Sequence, residues 1–289
     1  MSMPKLFAVD SMAVLYRGYF AMIRNPLINS KGLNTSGVRT VLMQLLKILE
    51  EERPDYLAVA SDSSEPTFRH KRFPEYKATR EKMPDDLVAQ LPYLPRLMAA
   101  LGLPYLILPG YEADDIIGTL SKTYKDIVIV SGDRDLLQLL DEDNALWLTK
   151  KGYTVYDQYT KARFEAEHGI TPDQFVDVKA LMGDASDGYK GVKGIGEKTA
   201  FKLIREFQRV ENLLTNLEQL TPAVRTKIEA DIDSLKISHR LARIITDVPI
   251  DLDFVESRST LNISKPEIQT ILDAHDLKIS SKYVQTLDL

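Results

Sequence analysis

The first 150 residues alternate short apolar runs with longer segments in which apolar side chains recur every three or four positions. Short runs rich in β-branched and aliphatic residues are typical of buried strands, and the longer periodic segments are typical of helices that cover a sheet. Regular alternation of the two predicts an α/β fold with a mostly parallel central sheet flanked by helices. We expect its strands at Leu6–Asp10, 56–62, 105–108, 127–133 and 145–148.

The periodic segments between these strands predict helices. Ser36–Glu52 keeps its apolar residues at a period of 3.6, and Ser36 is expected to cap its N-terminus. Residues 85–101 follow Pro84 and carry one apolar stripe, and residues 112–124 form a third helix.

Beyond about residue 160 the pattern becomes mainly helical. Residues 172–182 and Glu197–Phe207 predict two helices joined by the glycine-rich run GDASDGYKGVKGIG. Further helices are expected in the segments ENLLTNLEQL and KPEIQTILDAHDL. We therefore predict an α/β domain over residues 1–160 and a helical region over 161–289, with a helix-hairpin-helix at about 172–207.

Acidic residues follow four of the predicted strands, at the end of the strands where open α/β sheets bind their ligands. One aspartate at a strand end is most often a turn or cap residue. Acidic groups after four successive strands would repel one another on one rim unless cations neutralise them. The sequence therefore predicts one site that gathers Asp10, Asp62, Glu112, Asp114, Asp115, Asp133 and Asp135.

The donor types indicate which ion this site would hold. The chain has no cysteine and only four histidines, so its oxygen donors favour Mg²⁺, with Mn²⁺ as a substitute. Two such ions suit phosphodiester hydrolysis, in which the protein itself does little covalent chemistry. Asp184 and Asp187 lie three residues apart, a spacing that puts both on one face of a helical turn and suits a second ion.

The charge distribution leaves room for nucleic acid as a partner. Setting these nine carboxylates aside changes the net charge from −5 to +4. The basic residues cluster in segments 67–82 and 188–207. A lone charged run is usually a solvated face, but these two segments flank the predicted acidic site.

Residues 63–84 form a long connection that mixes aromatic and basic side chains. Aromatic rings stack on unpaired bases and cations pair with phosphates, so the segment suits a single strand. Arg69 and Tyr76 are expected to contact DNA, and Lys77 and Arg80 to reach the scissile phosphate. The alternative is an ordered surface loop whose aromatic residues pack on the body of the protein.

The glycine-rich connection matches neither of the two nucleotide-binding motifs that it resembles. Glu197 stands where a P-loop needs lysine, and Thr199 where a dinucleotide fingerprint needs its third glycine. A glycine hairpin before a helix N-terminus can instead hold a DNA phosphate without reading sequence, although a plain helix–helix turn is the alternative. The residues expected at this contact are Lys190, Gly191, Lys193, Gly194, Gly196, Lys198 and Thr199.

Motifs along nearly the whole chain resemble the 5′-nuclease domain of bacterial DNA polymerase I and its phage and flap endonuclease relatives. They are FAVD with Leu15-Tyr16-Arg17, PTFRH, EYKATR, GYEADD, GDRDLLQL, QFVDVKALMGDASD and GVKGIGEKTA. The resemblance implies a PIN-like fold with a helical arch at about 66–86. It also implies an Mg²⁺-dependent flap endonuclease and 5′→3′ exonuclease that cuts DNA with a free 5′ end near the single/double-strand junction.

The resemblance also implies which residues bind the metal ions and the substrate. It places one ion at Asp10, Asp62, Glu112 and Asp114, with Asp115 beside it, and a second at Asp133, Asp135, Asp184 and Asp187. Lys77 and Arg80 match cations that position the phosphate, Arg17 matches a substrate-contacting arginine, and the hairpin of such proteins often holds K⁺. Gly188-Tyr189-Lys190 stands where the family usually has Asn-Ile-Pro, and Lys193 where it has Pro, which leaves the hairpin path open.

The expected setting is that of a monomeric bacterial cytosolic enzyme in primer removal and DNA repair, either alone or fused to a DNA polymerase. Three other functions remain open. These are a catalytically weak module that holds branched DNA, a PIN-like ribonuclease, and a phosphatase for small phosphoesters. The intact carboxylates argue against a weak binding module. The pair Asp184 and Asp187 and the glycine hairpin argue against a PIN-like ribonuclease. A phosphatase for small phosphoesters would need neither basic segment.

Overall fold

A computed structural model describes residues 5–152, 154–258, 265–274, 282 and 284–285. At its centre is a six-stranded sheet with the strand order β3-β2-β1-β4-β5-β6. The strands are β1 (Leu6–Asp10), β2 (Tyr56–Ser61), β3 (Tyr105–Ile107), β4 (Ile127–Ser131), β5 (Asn144–Lys151) and β6 (Val155–Thr160). The first five run parallel, and β6 is antiparallel to β5, so the prediction of a mostly parallel sheet is confirmed.

Helices cover both faces of this sheet and form the second half of the chain. In chain order they are α1 (Ser11–Ala21), α2 (Ser36–Glu52), α3 (Phe68–Arg72), α4 (Asp85–Val88), α5 (Tyr93–Ala100), α6 (Ala113–Thr123), α7 (Lys161–His168), α8 (Phe175–Met182), α9 (Glu197–Phe207), α10 (Val210–Thr215), α11 (Pro222–Ala230), α12 (Ile232–Ala242), α13 (Leu252–Glu256) and α14 (Lys265–Ala274). Short 3₁₀ turns lie at Arg134–Leu139, Pro172–Gln174 and Leu217–Gln219.

The alternation of side chains along β1 shows how the sheet separates two apolar cores. Leu6 and Ala8 point into a core that includes residues of α6, α8 and α9. Phe7 and Val9 point to the other face, into a core with residues of α1, α2 and α5. Because neighbouring side chains on a strand leave on opposite faces, a strand that is buried on both sides is apolar throughout, as the run LFAV is.

The N-terminus of α2 is capped differently from the prediction. The backbone N–H groups of Gly37 and Val38 each donate to the buried Gln90 side chain at 3.0 Å. The Ser36 hydroxyl accepts from the Leu27 N–H at 2.9 Å instead. The cap comes from about 50 residues further along the chain, so local sequence could not reveal it.

Other elements also depart from their predicted bounds. The single helix predicted over 85–101 is two helices, α4 and α5, because Pro92 lacks the N–H that would continue the first. The strand β6 was missed because its sequence, VYDQYT, is largely exposed at the sheet edge and lacks an apolar run. The predicted helix over 172–182 begins as a 3₁₀ turn, and the end of the segment KPEIQTILDAHDL lies outside the described residues.

The connection between α8 and α9 is folded tightly against α8. The Val192 N–H donates to the Leu181 carbonyl at 2.8 Å. Gly191 has a φ of +61°, and a Cβ atom there would lie 2.3 Å from the Gly183 nitrogen. Only glycine fits both the backbone angle and this approach, which fixes where Asp184 and Asp187 emerge. No helix in the described part of the chain has the length and apolar character needed to span a bilayer.

Candidate active site

The carboxyl ends of the neighbouring strands β2, β1 and β4 meet at one edge of the sheet. They deliver Asp62, Asp10 and Asp133 there, and the start of α6 adds Glu112 and Asp114. All five side chains line one cavity of about 440 Å³. We call Asp10, Asp62, Glu112, Asp114 and Asp133 the first acidic group.

Hydrogen bonds from backbone N–H groups and from a serine hydroxyl hold Asp10 and Asp62 in place. Asp10 caps α1 by accepting from the Ala13 N–H at 3.0 Å, and it also accepts from the Ser131 hydroxyl at 2.8 Å. Asp62 accepts from the Ala113 N–H at 2.8 Å, which ties the end of β2 to the start of α6.

The first acidic group carries negative charge that its neighbours only partly neutralise. Burial, with further contributions from the charges of Asp62 and Asp133, raises the pKa of Asp10 to about 6. Burial and the charges of Asp133 and Asp10 also raise the pKa of Asp114 well above its ordinary value. A divalent cation would stabilise the charged form of these buried, mutually repelling carboxylates.

Glu112 is the member of this group with the most cationic and hydrogen-bonding partners. It accepts from Lys77 Nζ at 2.7 Å, and from Arg69 Nη1 and the Tyr76 hydroxyl at 3.1 Å each. Tyr76 also lies 3.2 Å from Asp187, so its hydroxyl spans the gap between the first carboxylates and the next set.

Asp135, Asp184 and Asp187 form what we call the second acidic group. Lys179 Nζ lies 2.7 Å from Asp135 and 2.5 Å from Asp184, and Arg80 Nη2 lies 2.6 Å from Asp187. Burial and the charge of Asp133 raise the pKa of Asp135 to about 7 despite Lys179. Burial opposes ionisation of Asp184 too, but its bonds to Lys179 and Ser186 hold its pKa below the ordinary value.

Asp133 connects the two groups. It lines the cavity of the first group, and it accepts from the Asp135 N–H at 2.8 Å. The resemblance assigned it to the second ion only, whereas the structure places it with the first group as well. Asp10, Asp114, Asp135 and Asp187 therefore lie around one continuous acidic centre rather than on separate surfaces.

The donor set fits hydrated Mg²⁺ or Mn²⁺. Every donor is a carboxylate oxygen, the ligand that these hard ions prefer. Among the described residues, no three carboxylates of this centre have oxygens that all lie within 4.8 Å of one another. A hydrated ion can bond to such carboxylates partly through its own waters.

Asp115 does not fit the prediction that it acts in catalysis. Its side chain is fully buried and receives two bonds of 2.8 Å from Arg69, and the Glu112 and Ile245 N–H groups donate to it as well. Both oxygens are therefore occupied away from the cavity. Asp115 closes a capping box with Glu112 and fixes the start of α6.

The burial of Arg69 and Tyr76 does not fit the prediction that they contact DNA. Each is only 2% exposed, and their polar ends bond to carboxylates of the centre. Their basic and aromatic character resembled a DNA-binding segment, but here Arg69 neutralises buried carboxylates and the Tyr76 hydroxyl donates a hydrogen bond to Glu112. The alternative of a packed loop is closer to what the structure shows for these two residues.

Replacing Arg69 by Met should lower the free energy of unfolding by about 3–5 kcal/mol, because Asp115 would be left buried without its cation. Urea unfolding would measure the loss. Arg72→Met, on the exposed side of the same short helix, should change stability little. Equal stabilities of the two variants would contradict the structural role of Arg69.

The residues predicted to hold a DNA phosphate at the hairpin differ in their solvent exposure. Lys190, Lys193, Gly194, Gly196 and Lys198 are exposed, and Thr199 is half-buried. Gly191 is buried, and its N–H donates to the Ser238 hydroxyl at 3.1 Å, so it does not fit the predicted phosphate contact.

Two more basic residues are Lys227, which was not predicted, and Arg17, which was predicted to contact the substrate. Lys227 donates to the Gly194 carbonyl at 3.1 Å, although no local pattern marked it. Arg17 is half-buried on α1 and lines a groove with Arg134 and Lys150 next to Asp133. Lys227 therefore lies at the hairpin, and Arg17 lies in a groove that shares Asp133 with the acidic centre.

A separate cluster of Asp177, Glu211 and His239 has ligand atoms within 4.8 Å of one another, beside a larger cavity of about 830 Å³. Asp177 is fully buried and already engaged: it accepts from Arg209 and the Val210 N–H at 3.1 Å each, and His239 lies 3.2 Å away. We interpret the cluster as a structural network that ties α10 and α12 to α8.

The raised pKa values of Asp10 and Asp135 predict how stability depends on pH. The folded protein keeps protons on these groups that the unfolded chain releases above its ordinary pKa of 3.8. Their contribution is therefore fully favourable below about pH 4 and is lost as pH rises through about 6 to 7. For Asp10 the rise from 3.8 to about 6 corresponds to on the order of 3 kcal/mol.

In EDTA, the free energy of unfolding measured in urea should accordingly fall between pH 5 and pH 7.5. Mg²⁺ should restore it at pH 7.5, because the ion favours the charged carboxylates. The double variant Asp10→Asn/Asp135→Asn should lose most of both effects. A wild-type protein that gains stability over this pH range in EDTA would contradict the assignment.

Comparison with known families shows which proteins the chain is similar to. Residues 5–169 match the family model described as 5′-3′ exonuclease, N-terminal resolvase-like domain, and residues 170–267 match 5′-3′ exonuclease, C-terminal SAM fold. A 5′-3′ exonuclease of Bacillus subtilis is 39% identical over 98% of this chain and 97% of its own length. DNA polymerase I of the same organism is 41% identical over 86% of this chain, which spans 28% of that polymerase.

Solved structures share the fold. The phage T5 D15 protein, co-crystallised with metal ions, superimposes with a TM-score of 0.67 at 20% identity, covering 97% of both chains. Flap endonuclease-1 from Methanococcus jannaschii gives a TM-score of 0.58 at 18% identity, covering 97% of this chain and 94% of its own. With both halves matched by the family models and a relative 39% identical along its length, the chain belongs to the 5′-3′ exonuclease family.

Proposed function

We propose that this protein uses two or more Mg²⁺ ions to hydrolyse phosphodiester bonds of DNA near the single/double-strand junction, acting on 5′ flaps and on free 5′ ends. One observation carries the proposal: three adjacent strand ends bring Asp10, Asp62 and Asp133 into a single cavity with a lysine at its wall. Mn²⁺ would substitute for Mg²⁺, since the same oxygen donors suit both.

The carboxylates divide into two sets of proposed ligands. Asp10, Asp62, Glu112 and Asp114 would hold one ion, and Asp135, Asp184 and Asp187 a second, with Asp133 shared between them. The bound ions would activate the attacking water and neutralise charge on the phosphate. The hydrogen bonds from Ala13, Ser131 and Ala113 hold the strand-end carboxylates in position before any substrate arrives.

Lys77 and Arg80 are the proposed phosphate-positioning residues. Both line the cavity of the first acidic group, and Arg80 is half-exposed. The Lys77 N–H donates to the Asp187 carbonyl at 2.8 Å, which anchors this part of the chain between the two acidic groups. A phosphate entering the cavity would meet the Lys77 ammonium beside Glu112.

The hairpin between α8 and α9 is the proposed grip on the duplex. The N-terminus of α9 at Gly196 receives no side-chain cap, so its N–H groups can bond a phosphate, and Lys190, Lys193 and Lys198 surround it. A K⁺ ion at the hairpin remains part of this proposal. So do a boundary near residue 160 and an arch at about 66–86, a range that contains α3 and the start of α4.

The proposed setting is the bacterial cytosol, where a monomer would remove primers and repair DNA beside a DNA polymerase. This rests on the relatives: polymerase I proteins carry a matching domain.

A labelled 5′-flap duplex tests the proposal. We expect cleavage near the junction with Mg²⁺ or Mn²⁺ and none in EDTA. Tight binding without cleavage under any divalent metal would instead indicate a binding module. A flap of RNA tested beside the DNA flap separates this function from a ribonuclease, which would prefer the RNA.

A further inference from the structure

The two acidic groups are neutralised very unequally by the residues of the chain. The five carboxylates of the first group have Lys77 and a share of Arg69 as cations. Within the described residues, the three carboxylates of the second group form ion pairs with Lys179 and Arg80, although Arg80 also lines the cavity of the first group. The second group therefore offers much less net negative charge to a divalent ion.

Lys179 differs from a surface lysine in its surroundings. It is 5% exposed and lies on α8 between Val178 and Ala180, which are fully buried. Its ammonium reaches Asp135, from the turn after β4, and Asp184, from the loop after α8. A desolvated ammonium that pairs with these two carboxylates is held strongly in place.

The position of this ammonium matters for ion binding. It lies 2.7 Å and 2.5 Å from oxygens of two of the three carboxylates in the second group. An ion that binds between Asp135 and Asp184 competes with the ammonium for these two carboxylates and is repelled by the lysine charge at this range. Binding there is therefore an exchange of one cation for another.

We propose that Lys179 is a built-in competitor for the second divalent ion, so that the second acidic group binds metal more weakly than the first. The lysine holds Asp135 and Asp184 together and must release at least one of them before an ion binds both. This inference rests on the proposed two-ion site. It adds a residue that sets the affinity of that site.

Titration of the DNA-free protein with Mn²⁺, followed by the electron paramagnetic resonance signal of the free ion, tests the proposal. The parent should show a tight site, lost in Asp10→Asn, and a weak site, lost in Asp184→Asn. Lys179→Met should strengthen the weak site roughly tenfold or more and leave the tight site unchanged. Lys179→Arg, which keeps the charge, should retain weak binding.

Lys122→Met is the matched control, because Lys122 also pairs with an aspartate, at 2.7 Å from Asp141, but away from the acidic centre. It should leave both sites unchanged. A weak site that is unaltered or weaker in Lys179→Met overturns the proposal, since the lysine would then only support the carboxylates. Circular dichroism checks folding, and Lys179→Gln gives a second reading if the Met variant does not fold.

Different results would remove the role of Lys179 and the proposed function. A parent that cuts flaps and binds two Mn²⁺ ions, with no gain in Lys179→Met, removes the role of Lys179 alone. A parent with no tight Mn²⁺ site and no flap cleavage removes the proposed function and this inference with it.

Discussion

Asp133→Asn should reduce flap cleavage by roughly 10³-fold or more while DNA binding largely persists, because charge stabilisation at the reacting phosphate is commonly the largest catalytic contribution. Asp133 lines the first cavity and orients the Asp135 N–H, so the change affects both acidic groups. The amide keeps the shape of the side chain but loses the charge that attracts an ion. Single-turnover cleavage and fluorescence-anisotropy binding measure the two effects separately.

Asp143→Asn is the control for this prediction. Asp143 is exposed and immediately precedes β5, at the opposite edge of the sheet from the acidic centre. The Asp143→Asn substitution removes the same charge from the chain as Asp133→Asn does and should leave the cleavage rate unchanged. Near-normal turnover in Asp133→Asn would remove Asp133 from the proposed metal ligands.

Lys77→Ala should slow cleavage by roughly 10²-fold and weaken duplex binding much less, because a positioned cation acts mainly in the transition state. Lys77 holds a positive φ of 55° and a largely buried side chain beside Glu112, so its ammonium is fixed before substrate arrives. Single-turnover cleavage rates and duplex dissociation constants, each measured for the variant and the parent, give the comparison.

Lys71→Ala offers a matched change in the same basic segment, since Lys71 is exposed on α3. A loss of duplex affinity in Lys77→Ala as large as its loss of rate would mean that the lysine only binds DNA. Equal rates for the variant and the parent would remove Lys77 from the mechanism altogether.

The acidic centre could be predicted because its position follows from local rules. Apolar runs ending in Asp10, Asp62 and Asp133 indicate parallel strands, and parallel strands bring their carboxyl ends to one edge. The glycine connection between α8 and α9 was likewise visible in the sequence, since only glycine tolerates the close approach at Gly191.

Partners chosen by the tertiary fold could not be predicted. Arg69 looked like a DNA contact because its neighbours are basic, yet it pairs with Asp115 in the interior, 46 residues away. Gln90 caps α2 from a distance of 53 residues. Lys179 carried one weak signal, a single lysine inside the apolar run of α8, but the identity of its partners required the fold.

Anomalous diffraction from a crystal grown with Mn²⁺ and an uncleaved 5′-flap DNA tests most directly whether these separate segments build one metal centre. We expect manganese peaks in the cavity bounded by Asp10, Asp114 and Asp133 and beside Asp135 and Asp184, with the scissile phosphate against them and near Lys77. Manganese bound elsewhere, with DNA lying away from this cavity, would contradict it.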